Sequence, residues 1–249
     1  MPSSNDAMTL WEHLDELRST ILKILAVLAV TTALLFAFMP TIFDSVIMAP
    51  CFSDFPLYRL FPGSENWHVE LINIQLSSQF FVHVSTSFWL ALVLSMPLCL
   101  YLLWQFVAPG LYAKEKRGAT RAFALGSVLF FLGVAVGYFV VFPITLRFLA
   151  TYQVSQYIPN QISLDSYIGT FMMLIFIMGA VFELPVAAWM LSAAGVLRKR
   201  HISRYRRHSI VAILVVAAII TPTGDPFTLI VVYAPIYLLY EFSAILVKR

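Results

Sequence analysis

The amino-acid sequence predicts an all-α membrane protein in which residues 1–249 form one polytopic domain with six transmembrane helices. Three observations support this prediction. The chain is 60% hydrophobic and only 12% charged, whereas about 25% of the residues of a typical soluble domain are charged. Its apolar segments approach the roughly 20 helical residues that cross a bilayer. Lys and Arg concentrate in alternate loops, a pattern typical of the cytoplasmic side.

A short amphipathic helix is predicted first, over residues 9–19. Thr9 and Glu12 have the spacing of a capping box, in which two side chains bond free N–H groups at a helix start. Glu12, Asp15 and Glu16 make this segment acidic. An acidic face on a membrane side otherwise rich in Lys and Arg suggests a cationic ligand. The alternative is a solvated helix whose acids pair with neighbouring basic loops.

Six spans follow, at about 21–39, 80–107, 122–142, 167–194, 209–221 and 227–247. The loops between them are a long one (40–79), a basic one (108–121), one that ends at Asp165, a second basic one (195–208) and a tight turn (222–226). If the N-terminus is cytoplasmic, every Lys and Arg except Arg59 and Arg147 lies on the cytoplasmic side. Because translocation of these residues is disfavoured, both termini are predicted to be cytoplasmic.

The last two spans are predicted to be short. The apolar part of the fifth, residues 209–221, extends about 20 Å at the helical rise, less than the hydrocarbon thickness. Glu241 interrupts the sixth span before the chain ends. We therefore expect a short helical hairpin that thins the bilayer or is shielded by a partner. A tilted hairpin with charged side chains that reach the interface explains the lengths equally well.

Glu183 is the charged residue that lies well inside the fourth span. An ionised, unpaired carboxylate in a membrane is unfavourable by several kcal/mol, so we expect Glu183 to be protonated or hydrogen-bonded. Pro185 cannot donate to the carbonyl of Val181 and predicts a kink. Small residues that allow another helix to approach share the face of Glu183: Gly179, Ala180 and Ala187. An internal hydrogen bond to a neighbouring span is the alternative.

Other chemistry receives no support from the sequence. Cys51 and Cys99 are predicted at different depths, so neither a disulfide nor a metal pair is expected. The histidines are scattered, and no nucleotide-binding loop or nucleophile motif is present. The arginine-rich loop 198–207 is more typical of a topology signal and of anionic lipid contact than of nucleic-acid binding. We predict no enzyme activity, no cofactor and no metal.

Several ordered motifs resemble one family. The run His13-Leu14-Asp15-Glu16-Leu17-Arg18 resembles the motif that opens the TatC family, the multispanning receptor of the twin-arginine protein translocase. Further matches follow in order: Ala49-Pro50, 104–112 with 115–117, 138–143, 182–186, and Thr221-Pro222 with Asp225. Three positions depart from the family pattern: Thr20 stands where a second basic residue is usual, Ser85 where relatives often carry Lys, and Gly224 resembles an insertion.

The resemblance implies a TatC-like concave bundle in the bacterial cytoplasmic (inner) membrane. Such a protein recognises twin-arginine signal peptides of folded precursor proteins. It mediates their export with single-span partners of the TatA and TatB types, in a multimeric complex surrounded by membrane lipid. The alternative is a proton-coupled small-solute secondary transporter with Glu183 as its relay, but such transporters usually show internal repeats and several polar groups at the midplane.

The resemblance also assigns candidate residues by motif match. Glu16 and Glu115 are the candidate partners of the paired arginines, since a carboxylate accepts two parallel hydrogen bonds from a guanidinium. Expected beside them on the signal-peptide surface are Leu14, Leu17, Arg18 and Phe106. The expected docking face for a partner helix comprises Gly179, Glu183, Pro185 and Ala187. Structural roles on the periplasmic side are expected for Pro50, Tyr138 and Asp225, where Asp225 suits a turn or a helix N-cap.

Overall fold

The computed structural model describes residues 10–60, 67–107, 113–193, 206–221 and 224–246. The helices in these ranges are α1 (Leu10–Ile42), α2 (Ser78–Val107), α3 (Ala113–Val136), α4 (Phe142–Thr151), α5 (Leu164–Phe182), α6 (Leu184–Ala193), α7 (Arg206–Ile220) and α8 (Pro226–Leu246). A π-helical turn, Phe43–Ile47, follows α1, and another, Gly137–Val141, joins α3 to α4. The strands are β1 (Leu71–Ile72) and β2 (Ile162–Ser163). This architecture confirms the predicted all-α membrane fold.

Apolar helices long enough to span a bilayer account for five of the predicted passages: Leu14–Cys51, Ser78–Phe106, Phe123–Thr151, Leu164–Ser192 and Pro226–Ala244. The fifth predicted span corresponds to α7, which has only 15 residues. At 1.5 Å per residue, α7 is about 22 Å long, well short of the roughly 30 Å hydrocarbon core. The predicted ends at residues 194 and 247 lie outside the described residues.

Three boundaries differ from the sequence prediction. The amphipathic segment is not a separate helix, because α1 continues without a break for 33 residues. The third span does not end near residue 142, because the π-helical turn Gly137–Val141 carries it into α4 and on to Thr151. Nor does Glu241 interrupt the sixth span, since α8 continues through it to Leu246.

The predicted kink in the fourth span is present at Glu183. The helix α5 ends at Phe182 and α6 begins at Leu184, so Glu183 lies between the two helices. Helical bonding resumes when the N–H of Ala187 donates to the carbonyl of Glu183 at 2.9 Å. Because Pro185 lacks an N–H, the helix cannot continue its regular ladder through this point.

A glycine seam joins α3 to α5. We give this name to the contact that Gly126, Gly133 and Gly137 make with the fourth span. A Cβ at Gly133 would overlap the carbonyl of Met178, and one at Gly137 would lie 3.1 Å from the Cα of Ile175. Only glycine lets the two backbones approach this closely, as is common between membrane helices.

The two strands were not predicted from the sequence. They pair in parallel, with Leu71 beside Ile162 and Ile72 beside Ser163. Each strand leads towards a span, β1 to α2 and β2 directly to α5, so these two helices begin side by side. The hydroxyl of Ser78 donates to the carboxylate of Asp165 across their first turns. We call this side of the bundle the strand end.

The buried core lies near the strand end, where α4 and α5 meet. The ring of Phe142 packs edge-on against Phe171 at 4.8 Å and against Tyr167 at 5.3 Å between centroids. All three side chains are buried. This aromatic cluster fixes the start of the fourth span, whereas Glu183 lies further along it, at the break between α5 and α6.

Candidate functional site

The predicted signal-peptide residues lie at the end of the bundle opposite the strands. Near the strand end, His83 Nε2 lies 2.9 Å from the carbonyl of Phe36, so the start of α2 adjoins the last turns of α1. At 1.5 Å per residue, Glu16 lies about 30 Å back along α1 and Phe106 about 34 Å forward along α2. They therefore reach similar levels at the far end of the bundle, which we call the receptor end.

The start of α3 returns the chain to the same level. Trp104, near the end of α2, packs against Phe123 of α3 with ring centroids 4.8 Å apart. Glu115 lies in the first turns of α3, about 12 Å before Phe123 along the helix. Its side chain lies outside the described set. The backbone thus brings the helix turns that carry Glu16, Phe106 and Glu115 to one end of the bundle.

Glu16 and Glu183 are described acidic side chains with an unmet hydrogen-bonding capacity, and Glu16 is the one in the turns that carry the predicted signal-peptide residues. The residue is half-buried, and its Oε2 atom is buried without a hydrogen-bond partner among the described residues. A buried carboxylate oxygen without a donor is unfavourable. A cation that brought N–H donors to this oxygen would relieve that penalty.

The neighbours of Glu16 differ in exposure. Leu14 and Arg18 are exposed, whereas Leu17 and Phe106 are half-buried. Thr20, which departs from the family pattern, is buried, and its hydroxyl donates to the carbonyl of Glu16 at 2.9 Å. A basic side chain could not occupy this position without desolvating its charge.

Glu183 fits into a notch on α3. An added Cβ at Gly126 would lie 2.7 Å from Glu183 Oε2 and 3.2 Å from Oε1, so the carboxyl group occupies the space left by the missing side chain. The Oε1 atom is buried and has no hydrogen-bond partner within the described parts of the chain. The internal hydrogen bond that the sequence left open is therefore not formed to any described residue.

Some residues of the predicted docking face are buried within the bundle and others are exposed on its surface. Gly179 is buried, and a Cβ there would lie 2.7 Å from the ring of Phe130, so its close approach is to the third span of the same chain. Pro185 is also buried, whereas Ala180 and Ala187 are exposed. The prediction that Gly179 and Pro185 face a partner is therefore corrected. The outward stripe consists of Ala180 and Ala187, with the half-buried Glu183 between them.

Gly126, Gly133 and Gly137 were missed by the sequence reasoning. They are spaced by seven and four residues, which places them on one face of a helix. That spacing of glycines in an apolar segment is a recognised sign of close helix packing. It identifies the face of the third span against which Glu183 lies.

The first loop at the strand end is held by tyrosines, and Pro50 belongs to this arrangement. Three hydroxyls donate to backbone carbonyls where α1 unwinds: Tyr58 to Pro50 at 2.8 Å, Tyr138 to Val46 at 2.8 Å, and Tyr167 to Ile47. Burial raises the pKa of the Tyr58 phenol, which keeps this donor protonated. These bonds satisfy carbonyls beyond the regular helix. Pro50 takes part as an acceptor and Tyr138 as a donor.

Asp225 acts as the N-cap of α8. Its Oδ1 atom accepts from the N–H of Thr228 at 2.7 Å, and its carbonyl accepts from Leu229 at 3.1 Å. The preceding Gly224 has a φ of 60°, a left-handed conformation that favours glycine. The apparent insertion therefore supplies the backbone turn that leads into the cap.

Ser85 lines a cavity of about 690 Å³ between α2 and α5. The lining is mainly apolar, with Asp165 at the strand end. The hydroxyl of Ser85 donates to the carbonyl of Val82 at 3.2 Å. A small hydroxyl that bonds its own helix leaves this groove open, where a Lys would fill part of it.

The hairpin of α7 and α8 is joined by a polar cluster at the receptor end. Glu241 Oε1 accepts from Arg206 Nε at 2.9 Å and from the hydroxyl of Tyr237 at 2.8 Å. The hydrogen bond to Glu241 raises the pKa of the Arg206 guanidinium, which stays protonated. This pairing explains how a carboxylate is accommodated inside α8.

Comparisons with known proteins agree on one family. The family model described as Sec-independent protein translocase protein (TatC) matches residues 12–235. A Sec-independent protein translocase protein TatC from Blattabacterium sp. subsp. Periplaneta americana is 31% identical, over 98% of this chain and 96% of its own. The protein of that name from Aquifex aeolicus is 32% identical, over 97% and 95% of the two chains.

A solved structure supports the same assignment. The crystal structure of the twin arginine translocase receptor TatC in DDM superimposes with a TM-score of 0.79 at 30% sequence identity. The match covers 96% of this chain and 100% of that one. The likeness therefore extends over nearly the whole fold, including both ends of the bundle.

Proposed function

The chain belongs to the TatC family of Sec-independent protein translocase proteins, and we propose that within this translocase it binds the paired arginines of signal peptides through Glu16 and Glu115. It is a multi-pass protein of the bacterial inner membrane and a component of the twin-arginine translocase. Protein translocation is a transport function. Family membership also sets aside the alternative of a small-solute secondary transporter.

The observation that carries the proposal is the half-buried carboxylate of Glu16. Its Oε2 atom has no donor among the described residues, and Leu14 and Leu17 lie one turn or less away along α1. A guanidinium would bring a planar pair of N–H donors to this carboxylate, a geometry that an ammonium group does not reproduce. Leu14 and Leu17 lie on a different face of α1 from Glu16, so the apolar part of a signal peptide would pack across the helix from the bound arginine.

Glu115 is proposed as the second acceptor because the first turns of α3 lie at the receptor end. In the sequence it is an acid among Lys114, Lys116 and Arg117. We expect the two acids to act together on a pair of arginines, with Arg18 and Phe106 at the border of the same surface.

A second part of the proposal concerns partner helices. The exposed small side chains of Ala180 and Ala187 flank the half-buried carboxyl group of Glu183. We propose that a single-span protein of the TatA or TatB type packs on this stripe and hydrogen-bonds Glu183. An intramembrane hydrogen bond of this kind contributes about 0.6–2 kcal/mol.

The experiment compares Glu16→Gln and Glu115→Gln with Asp15→Asn, an exposed acid in the same turn of α1. Loss of a hydrogen bond between charged groups is worth about 1.5–3 kcal/mol, so each Gln variant should bind a twin-arginine peptide about tenfold more weakly or worse. Asp15→Asn should bind almost as well as the parent. Equal affinity in all four proteins would remove the receptor assignment from this surface.

A further inference from the structure

The strand end carries large apolar side chains that nothing in the described structure covers. In the segment 152–158, Val154 is 89% and Tyr157 is 96% exposed, and Tyr152 and Ile158 are also exposed. In the segment 73–77, Leu76 is fully exposed. A soluble surface rarely exposes so many large apolar side chains together.

These two segments are also free of charge. No Asp, Glu, Lys, Arg or His occurs in residues 73–81 or in residues 151–163. The charged residues of the strand end lie instead in other stretches, such as Asp54, Arg59 and Glu70. Tyrosine is enriched at the membrane–water interface, and a segment without charged residues enters that interface without desolvating a charge.

The backbone keeps both segments next to membrane-spanning helices. The side chain of Asn160 donates to the carbonyls of Leu149 and Tyr152, at 2.9 and 3.0 Å, so the loop after α4 folds back on the end of that helix. The segment 73–77 runs directly into α2, which begins at Ser78. Both segments therefore lie directly at the ends of membrane-spanning helices.

We propose that residues 73–77 and 152–158 are immersed in the bilayer interface, with Leu76, Val154 and Tyr157 at the boundary between headgroups and acyl chains. Amphipathic interfacial helices bury their apolar face about 5–10 Å into that boundary, and we expect a similar depth for these two loops. The ligand is the lipid of the leaflet at the strand end. Contact at two loops, one before α2 and one after α4, fixes the height of the strand end in the membrane.

The test uses fluorescent labels that report their surroundings. An environment-sensitive dye is attached to Leu76→Cys and to Tyr157→Cys in the full chain, reconstituted in phosphatidylcholine bilayers. Both positions are exposed, so the dye requires no repacking. Native Cys51 and Cys99 are buried, and the unsubstituted protein gives their background. The matched controls are Asp54→Cys and Glu70→Cys, which replace exposed charged residues of the same end.

The two labels in the proposed interface should be quenched by lipids brominated near the glycerol backbone and protected from aqueous iodide. The two controls should show the reverse. Strong iodide quenching at residues 76 and 157, equal to that of the controls, would overturn the proposal. So would protection from both quenchers that is lost on dilution into excess lipid, because a second copy of the chain would then be the cover.

Discussion

The glycine seam and the hairpin of α7 and α8 hold their helices together by different interactions. At the seam, the backbone of α3 meets α5 so closely that a Cβ at Gly133 would overlap a main-chain carbonyl. In the hairpin, α7 has Ala217 as its buried residue among those described, and the polar cluster of Arg206, Tyr237 and Glu241 joins its start to α8.

Close packing of backbones therefore holds the seam, whereas polar contacts join the two helices of the hairpin. The seam depends on the absence of side chains, so almost any substitution there adds volume. In the hairpin, α7 is short and largely exposed, so its position depends on the surrounding lipid, on partners and on a few polar contacts. Glu183 contacts Gly126 of the seam. Gly126 therefore positions the carboxyl group, whereas Gly133 holds α3 against α5 and maintains the fold.

The largest expected effect comes from Gly133→Ala. The added methyl group would meet the carbonyl of Met178 and the side chain of Phe182, and the backbone atom can move only if α5 moves. Overpacking of this kind typically costs about 1–3 kcal/mol. Thermal unfolding in detergent should therefore show a clear drop. Gly169→Ala is the control because a Cβ there meets nothing within 4 Å, and equal stability of the two variants would contradict the seam.

A smaller and more specific effect is expected from Gly126→Ala. The group in the way is the flexible end of Glu183, so the carboxyl should move while the fold stays intact. Association with a single-span partner should then weaken by roughly 1 kcal/mol, the scale of an intramembrane hydrogen bond.

The double variant Gly126→Ala with Glu183→Asp sharpens this comparison. Aspartate is shorter by one methylene and makes room for the new methyl group, so the double variant should recover part of the association, as measured by crosslinking yield or co-purification. If it associates as poorly as Gly126→Ala alone, the notch does not position the carboxyl group.

The smallest effect is expected from Glu241→Gln in the hairpin. Arg206 is exposed to solvent, and salt screens exposed ion pairs. Hydrogen exchange of the first turns of α7 should speed up with added salt in the parent, and this salt dependence should vanish in the variant. Glu70→Gln, which removes an exposed acid at the strand end, should leave it unchanged. Identical salt profiles for parent and Glu241→Gln would show that the ion pair does not hold the hairpin.

The membrane spans could be predicted from the sequence because most of them are long runs of apolar residues. Runs of apolar residues gave the six passages, and Pro185 gave the break in the fourth span. The motif beginning at His13 directed attention to Glu16, although a motif contains no information on the burial of Oε2. A charged residue inside the last apolar run also suggested an interruption at Glu241. The sequence could not show the bond that accommodates this residue, because its partner Arg206 is 35 positions away and no local pattern links the two.

Other features depend on contacts that are too short or too distant to leave a periodic pattern. Strands of two residues, such as Leu71–Ile72, have no alternation to detect. Helical spacing places Gly179 on the same face as Glu183, and for this reason it was predicted to face a partner. Its contact with Phe130 of the third span, which the sequence does not show, makes Gly179 internal. The glycine seam had a readable spacing, yet its partner surface required the folded structure.

The most direct measurement of the central claim is a double-mutant cycle between Glu16 and the paired arginines of a signal peptide. Purified parent and Glu16→Gln proteins are each titrated with the twin-arginine peptide and with the same peptide carrying two lysines. Lysine cannot reproduce the bidentate contact, so the parent should lose affinity for the lysine peptide, and this loss should shrink in Glu16→Gln because the two changes remove the same interaction. An equal loss in both proteins would show that the arginines bind elsewhere.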